Sequence, residues 1–180
     1  MTSKRYKEIA ARARVPLGFV NLAVYLVYSR PSWIWFLPGA TVALAGILLR
    51  GWAVGHLAKN RELCTGGPYR HTRNPLYLGS ALTGAGFAIA GGVWWLGVLT
   101  AAVLVFVYWP VVLEEESHLR DLFPAFAGYA ARVPRFWPSP APRVESTARF
   151  QWALYKRNQE YNAVICYVVV MAILIWKMIG

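Results

Sequence analysis

Between residues 65 and 79 the chain reads Thr65-Gly66-Gly67-Pro68-Tyr69-Arg70-His71-Thr72-Arg73-Asn74-Pro75-Leu76-Tyr77-Leu78-Gly79. Gly66-Gly67-Pro68 is a turn signal. Asn74-Pro75 sets a capping residue before a proline suited to the first helical turn, so the spacing predicts a helix that begins at Pro75. Mostly apolar residues follow to Leu113, and Gly91-Gly92 among them is short enough to link two helices as a hairpin. The second of these helices ends its apolar run at Glu114-Glu115-Glu116. The polar run and the triple carboxylate are thereby brought to the same edge of an apolar bundle.

Composition agrees with a bundle in lipid. Of 180 residues 57% are apolar and 15% aromatic, and the mean hydropathy is positive, which is too oily for an ordinary soluble domain. A helix needs roughly 20 mostly apolar residues to cross a bilayer. Five stretches approach that: Val15 to Ser29, Trp33 to Leu49, Leu76 to Ala90, Val93 to Leu113 and Ala163 to Ile175. The third is short and rich in glycine, as a helix buried in the bundle or steeply tilted would be. Gly51 and Gly55, and the series Ser80, Gly84 and Ala88, have the four-residue spacing that lets helices approach closely in lipid. The fold class is therefore an all-α integral membrane protein with five transmembrane helices, the third and fourth forming a tight hairpin. It divides into helices 1 and 2 (residues 1–50), a core with the hairpin and polar segments (51–138), and a linker, interfacial helix and last span (139–180).

Charge gives the orientation. With five spans, 17 Lys and Arg fall on one side and only Arg30 and Lys177 on the other, which puts the N-terminus and both polar motifs in the cytoplasm. The net charge of +11 reads as topology plus attraction to anionic membrane lipids. The charges are spread over three membrane-edge segments with no nucleic-acid module, so no nucleic acid is expected as a partner. The apolar run after Lys4, Arg5, Lys7, Arg12 and Arg14 ends Tyr28-Ser29-Arg30-Pro31 without a small-x-small cleavage site, so a retained first helix is expected rather than a signal peptide. Cys64 and Cys166 fall in a cytoplasmic segment and a membrane helix and suggest no disulfide. No Cys or His spacing suggests a metal.

The polar residues carry the chemistry. A helix starting at Pro75 turns its N-terminal amides toward the cytoplasmic edge, which suits a carboxylate or phosphate on a ligand, although Asn-Pro is equally explained as a helix start. Acidic residues at a helix end oppose its dipole, a difficulty relieved if the fourth helix continues through Arg120 to the break at Phe123-Pro124. Glu116 with Arg120, and Glu114 with His118, would then be surface pairs four apart. Successive residues point about 100° apart on a helix, so at least one of Glu115 and Glu116 should face the bundle. A carboxylate there would accept from ribose hydroxyls or an ammonium group. Pro134 to Pro142 holds four prolines and reads as an extended surface linker, and Phe150, Trp152, Tyr155 and Tyr161, interleaved with Arg149, Lys156 and Arg157, read as an interfacial helix.

Taken together, these motifs resemble the membrane methyltransferases that include isoprenylcysteine carboxyl methyltransferases and phospholipid N-methyltransferases. The likeness covers Leu57 to Pro138 and rests on Leu63-Cys64-Thr65-Gly66-Gly67-Pro68-Tyr69, Arg73-Asn74-Pro75-Leu76-Tyr77-Leu78-Gly79, Glu115-Glu116-Ser117-His118-Leu119, and Tyr129 with Val133-Pro134-Arg135. The resemblance implies S-adenosylmethionine as cofactor, held by Tyr69, Arg73, Asn74, Tyr77, Glu115 and Glu116, with Leu63, Gly66 and Gly67 giving backbone contacts. Asn74 stands where the carboxyl methyltransferases usually have His, and Arg61 where they often have an upstream His; Asn looks more like the phospholipid methyltransferases.

Methyl transfer from a sulfonium is an in-line displacement, so alignment and exclusion of water are the main tasks. A carboxylate acceptor needs no base, whereas a protonated amine must first lose a proton. Glu116 or a neighbour would take that proton and Arg73 would orient an anionic acceptor, which makes these two the expected catalytic residues. The expected substrate is a lipophilic small-molecule acceptor, and the compact chain suggests a bacterial inner membrane. Two other classes fit part of the pattern: an NADPH-dependent sterol reductase of related fold, usually a much longer chain, and a non-catalytic membrane scaffold.

Overall fold

A computed structural model of the chain describes residues 16–180. Every regular element among the described residues is helical. They are α1 (Pro16–Tyr28), α2 (Trp33–Val54), α3 (Pro75–Ala90), α4 (Trp94–Val103), α5 (Trp109–Leu122), α6 (Phe126–Arg132), α7 (Trp152–Arg157) and α8 (Tyr161–Ile179). A 3-10 turn occupies Gly67–Arg70. The basic segment 1–14, which carries part of the orientation argument, lies outside the described residues.

Three helices are long and apolar enough to cross a membrane: α2, the continuous run Trp94–Leu122 and α8. Of the five spans expected from sequence these three have the full length, while α1 and α3 are shorter apolar helices. At 1.5 Å per residue the 16 residues of α3 reach only about 24 Å, against a hydrocarbon core of about 30 Å. The surface fits a lipid environment. Ile34, Leu48, Phe106, Val168 and Ile179 are exposed aliphatic or aromatic side chains. Exposed tryptophans fall at both ends, Trp33, Trp94 and Trp176 at one and Trp52, Trp137 and Trp152 at the other, as in the aromatic belts of membrane proteins. The chain is thus a membrane protein by composition, helix length and surface.

The reason α3 tolerates its length is its partner. It runs antiparallel to α2 with backbone against backbone: a Cβ on Gly39 would strike Ala90, one on Gly46 would lie 2.5 Å from the Gly79 carbonyl, and one on Gly86 would strike Ala43. Small residues permit this approach. The stripe is Gly39, Ala43 and Gly46 facing Gly79, Thr83, Gly86 and Ala90. Gly84 and Ala88 of the expected series approach Thr100 and Gly97 of α4, and Gly55 lies under the Phe150 ring. The division expected between residues 50 and 51 falls inside α2.

The α4–α5 run continues through the carboxylates to Leu122, as read from the sequence. Its turn Leu104–Tyr108 is π-helical. Pro110 has no N–H for the carbonyl four residues earlier and its ring crowds that carbonyl, which a widened turn relieves. Beyond it Glu116 is buried and Glu115 half-buried. Away from the polar end, Tyr25, Phe36, Leu96, Val170 and Leu174 form the main apolar core. There Lys177 Nζ donates to the carbonyls of Leu26 (2.9 Å) and Ser29 (2.6 Å), so a cation closes the C-terminal end of α1 where the helix dipole favours it.

Candidate functional site

The polar end is built from three chain segments that the backbone ties together. Gly67 has φ +53°, and a Cβ there would lie 2.6 Å from the His56 ring, so the turn into the 3-10 segment requires glycine. The loop after α6 then docks beside this turn. Arg73 N donates to the Pro134 carbonyl (2.9 Å) and Ser139 N to that of His71 (2.9 Å). Thr72 Oγ1 donates to the Arg135 carbonyl at 3.0 Å, and the Tyr129 hydroxyl donates to the Tyr69 carbonyl at 2.8 Å.

Glu116 sits at the centre, 4% exposed. Its carboxylate accepts from Asn74 Nδ2 at 2.9 Å, from Arg73 Nη1 at 3.2 Å, and from Arg135 Nη2 at 3.0 Å and Nε at 3.1 Å. Asn74 occupies the N-cap position of α3 but makes no side-chain cap bond; its amide goes to Glu116 and, at 3.3 Å, to the Arg135 carbonyl. The surface pair of Glu116 with Arg120 is therefore not formed: Glu116 turns inward to two arginines. Because two guanidiniums share one carboxylate, the cluster carries a net positive charge. Arg73 Nε is buried and without a hydrogen-bond partner, an unusual state for a polar atom.

A cavity of about 440 Å³ opens beside this cluster, within the roughly 300–1,000 Å³ typical of ligand pockets. Leu63, Tyr69, Arg73, Asn74, Tyr77, Glu115 and Glu116 all line it. Tyr77 donates its hydroxyl to Glu115 Oε2 at 2.7 Å. Of the residues expected at the site, Gly66 and Gly67 are placed elsewhere, against Ala148 and His56. Arg135, quoted in the motif but not counted among the site residues, closes the cluster, and its guanidinium lies 5.8 Å from the Trp109 ring centre. Burial pushes the Cys64 thiol up to about 12, and burial likewise drives the Tyr69 and Tyr129 phenols above the usual tyrosine range. All three keep their protons near neutral pH.

A second cavity, about 250 Å³, lies among α1, α2, α3, α4 and α8. Its lining is mainly apolar, with polar groups from Asn21, Ser80, Thr83, Thr100 and Tyr108 set into it. Arg50 at its edge donates Nε to Glu160 Oε1 (2.6 Å) and Nη2 to Oε2 (3.0 Å), and Nη1 to Ser80. This pair joins residues 110 positions apart and escaped the sequence reading, since neither belongs to a motif. Tyr77 lines the first cavity and Tyr108 the second, and their rings pack edge-on. Among the described residues no group of three His, Cys, Asp or Glu is placed to hold a metal ion.

The fold and this site define a helical membrane protein with a charged pocket at one end of its bundle. Residues 40–125 match the phospholipid methyltransferase family. The chain is 31% identical over 162 residues to the cobalt-zinc-cadmium resistance protein CzcN of Cupriavidus metallidurans, covering 81% of this chain and 71% of that protein. It is 30% identical to the nickel-cobalt-cadmium resistance protein NccN of Alcaligenes xylosoxydans xylosoxydans, covering 81% and 72%. The chain belongs to the phospholipid methyltransferase family. No solved structure matches it significantly.

Proposed function

We propose that this chain is an S-adenosylmethionine-dependent methyltransferase that methylates a lipophilic acceptor drawn from the membrane. The observation that carries the reading is the cluster of Arg73, Asn74, Glu116 and Arg135 beside a cavity that also presents Glu115 and Tyr77. The residues fit the cofactor's chemistry. Glu115 offers a carboxylate for ribose hydroxyls or an ammonium group, Arg73 with its unpartnered buried Nε offers a donor for a carboxylate, and Leu63, Leu119 and Phe126 offer apolar surface for a flat base. The cofactor, when bound, supplies an electrophilic methyl group on sulfur.

The remaining tasks fall to the protein. Glu116, with its lone pairs taken by Asn74 and two arginines, holds Arg73 and Arg135 in place rather than receiving a proton. Glu115, which faces the cavity, is the better placed carboxylate to accept a proton from an amine acceptor. Arg73 orients an anionic group, for which its planar fork is suited. The second cavity, mainly apolar with several polar groups set into it, supports entry of a lipophilic acceptor from the lipid side, because polar groups at membrane depth are costly and concentrate where they serve a ligand. We include in the reading five membrane passages, α1 and α3 crossing within the protein's own packing, and a cytoplasmic polar end in a bacterial inner membrane. The Lys and Arg distribution supports that orientation.

The test is calorimetric binding of S-adenosylmethionine, S-adenosylhomocysteine and NADPH to the detergent-purified protein and to Glu115→Gln. Binding of the first two, weakened in the variant, is the expected result. Binding of NADPH alone would move the chain to the reductases, and binding of none would leave a scaffold.

A further inference from the structure

A third cavity, about 750 Å³, lies on the other side of Leu63 and Tyr129 from the pocket described above, and Arg70, Arg132 and Arg143 line it. These arginines come from three separate places: the 3-10 turn, α6 and the loop that follows the prolines. Each is held by its Nε. Arg70 Nε donates to the Val144 carbonyl at 3.0 Å, Arg132 Nε to that of Gly128 at 3.2 Å, and Arg143 Nε to Ser139 Oγ at 2.7 Å. Ser139 is itself buried, and its amide is fixed to the His71 carbonyl at 2.9 Å. The backbone ties the set further, since Arg143 N donates to the Arg70 carbonyl at 2.9 Å.

This arrangement fixes the stems of three guanidiniums around one space. Among the described residues the ion pairs are Arg50–Glu160, Arg73–Glu116 and Arg135–Glu116, so none neutralises this group. Glu145 is the one carboxylate among the lining residues, leaving an excess of positive charge. Concentrating like charges costs free energy unless an anion relieves it, and arginine's planar fork matches the oxygens of a phosphate. Val144, Ala125 and Pro142 add apolar lining. The loop that carries Arg143 also carries Trp137, 86% exposed, a side chain that favours the headgroup layer of a membrane.

We propose that Arg70, Arg132 and Arg143 form a binding site for the phosphate of an anionic lipid headgroup, separate from the methyl-transfer pocket. The site anchors the polar end of the bundle to the anionic leaflet. It does so whatever reaction the neighbouring pocket carries out.

The experiment is native mass spectrometry of the detergent-solubilised full chain titrated with dioctanoyl phosphatidylglycerol or dioctanoyl phosphatidylcholine, with inorganic phosphate as competitor. Phosphatidylglycerol is expected to bind about tenfold more tightly than phosphatidylcholine, and the exposed pair Arg132→Gln/Arg143→Gln to lose that preference. Glu145→Gln, which removes the opposing carboxylate, is expected to tighten binding, a gain that misfolding cannot mimic. Equal binding of the two lipids, or an unchanged preference in the double variant, would overturn the proposal. Displacement of phosphatidylglycerol by inorganic phosphate at comparable concentration would overturn the lipid as the source and point to a soluble anion.

Discussion

Tyr77 and Tyr108 stand edge to face, their ring centres 6.2 Å apart and their planes at 78°, with the polar-end cavity lined by one ring and the intramembrane cavity by the other. On the proposed function, this pair stands between the route of the acceptor and the site of the donor. Tyr77 has a second task, because its hydroxyl donates to Glu115 at 2.7 Å. Tyr77→Phe keeps the ring and deletes that bond. A hydrogen bond to a charged group contributes about 1.5 kcal/mol or more, so cofactor affinity should fall about tenfold with the thermal midpoint nearly unchanged. Calorimetry on the variant checks this; unaltered affinity would remove the Tyr77–Glu115 contact from cofactor binding.

Glu116 makes the opposite kind of prediction. Its side chain is 5% exposed and that of Arg73 13%, so Glu116→Gln leaves two guanidiniums facing one another across a neutral amide. Removing one partner of a buried pair costs about 3 kcal/mol, and the variant should melt well below the parent. Arg135 is 36% exposed and water screens it, so Arg135→Ala should cost clearly less than Arg73→Ala. Melting curves of the three variants order these costs. A Glu116→Gln protein with full stability and lost turnover would restore Glu116 as a catalytic base.

Much of this site was legible because its motifs are local. The start of α3 at Pro75 follows from Asn74-Pro75, and the inward carboxylates follow from three acids in succession at 100° steps. What Asn74 does was not legible: the residue has a capping side chain at a capping position, yet its amide reaches Glu116, 42 residues away. Local rules cannot rank a cap against a partner that the fold alone supplies. The same applies to Arg50 and Glu160, separated by 110 residues, and to the π-helical turn, for which Pro110 was the unread signal.

The small residues of α3 serve two neighbours, and the closer of the two contacts, with α2, can be tested. Both glycine-containing series on α3 have helical spacing: Gly79 and Gly86 meet α2, and Gly84 and Ala88 meet α4, a division that spacing alone does not tell. A side chain at Gly86 would strike the backbone of Ala43, which no rotamer change relieves, so Gly86→Leu should separate the helices and abolish the folded, monodisperse protein. Gly128 in α6 has nothing within 4 Å of a built Cβ. Gly128→Ala should therefore be neutral or stabilising by up to about 1 kcal/mol. Size-exclusion profiles and melting points of the two variants compare directly, and equal tolerance at both positions would contradict the stripe.

Stability should also carry an alkaline limit set by the groups packed under the pocket. Burial raises the Cys64 thiol from an ordinary 9.0 to about 12, and it raises Tyr69 and Tyr129 in the same direction. Below pH 9 the thiol is protonated in both folded and unfolded chains and has no pH effect. Above pH 9 the unfolded chain releases the proton while the folded chain retains it, so the unfolded state gains and stability falls until about pH 12. Cys64→Ala removes one contributor, and its stability should decline less steeply between pH 9 and 10.5 than that of the parent. The same burial makes Cys64 a poor nucleophile at pH 8, where maleimide should label it far more slowly in the folded protein than after denaturation. Rapid labelling of the folded protein would place the thiol on an open surface and dissolve the argument for the pH slope with it.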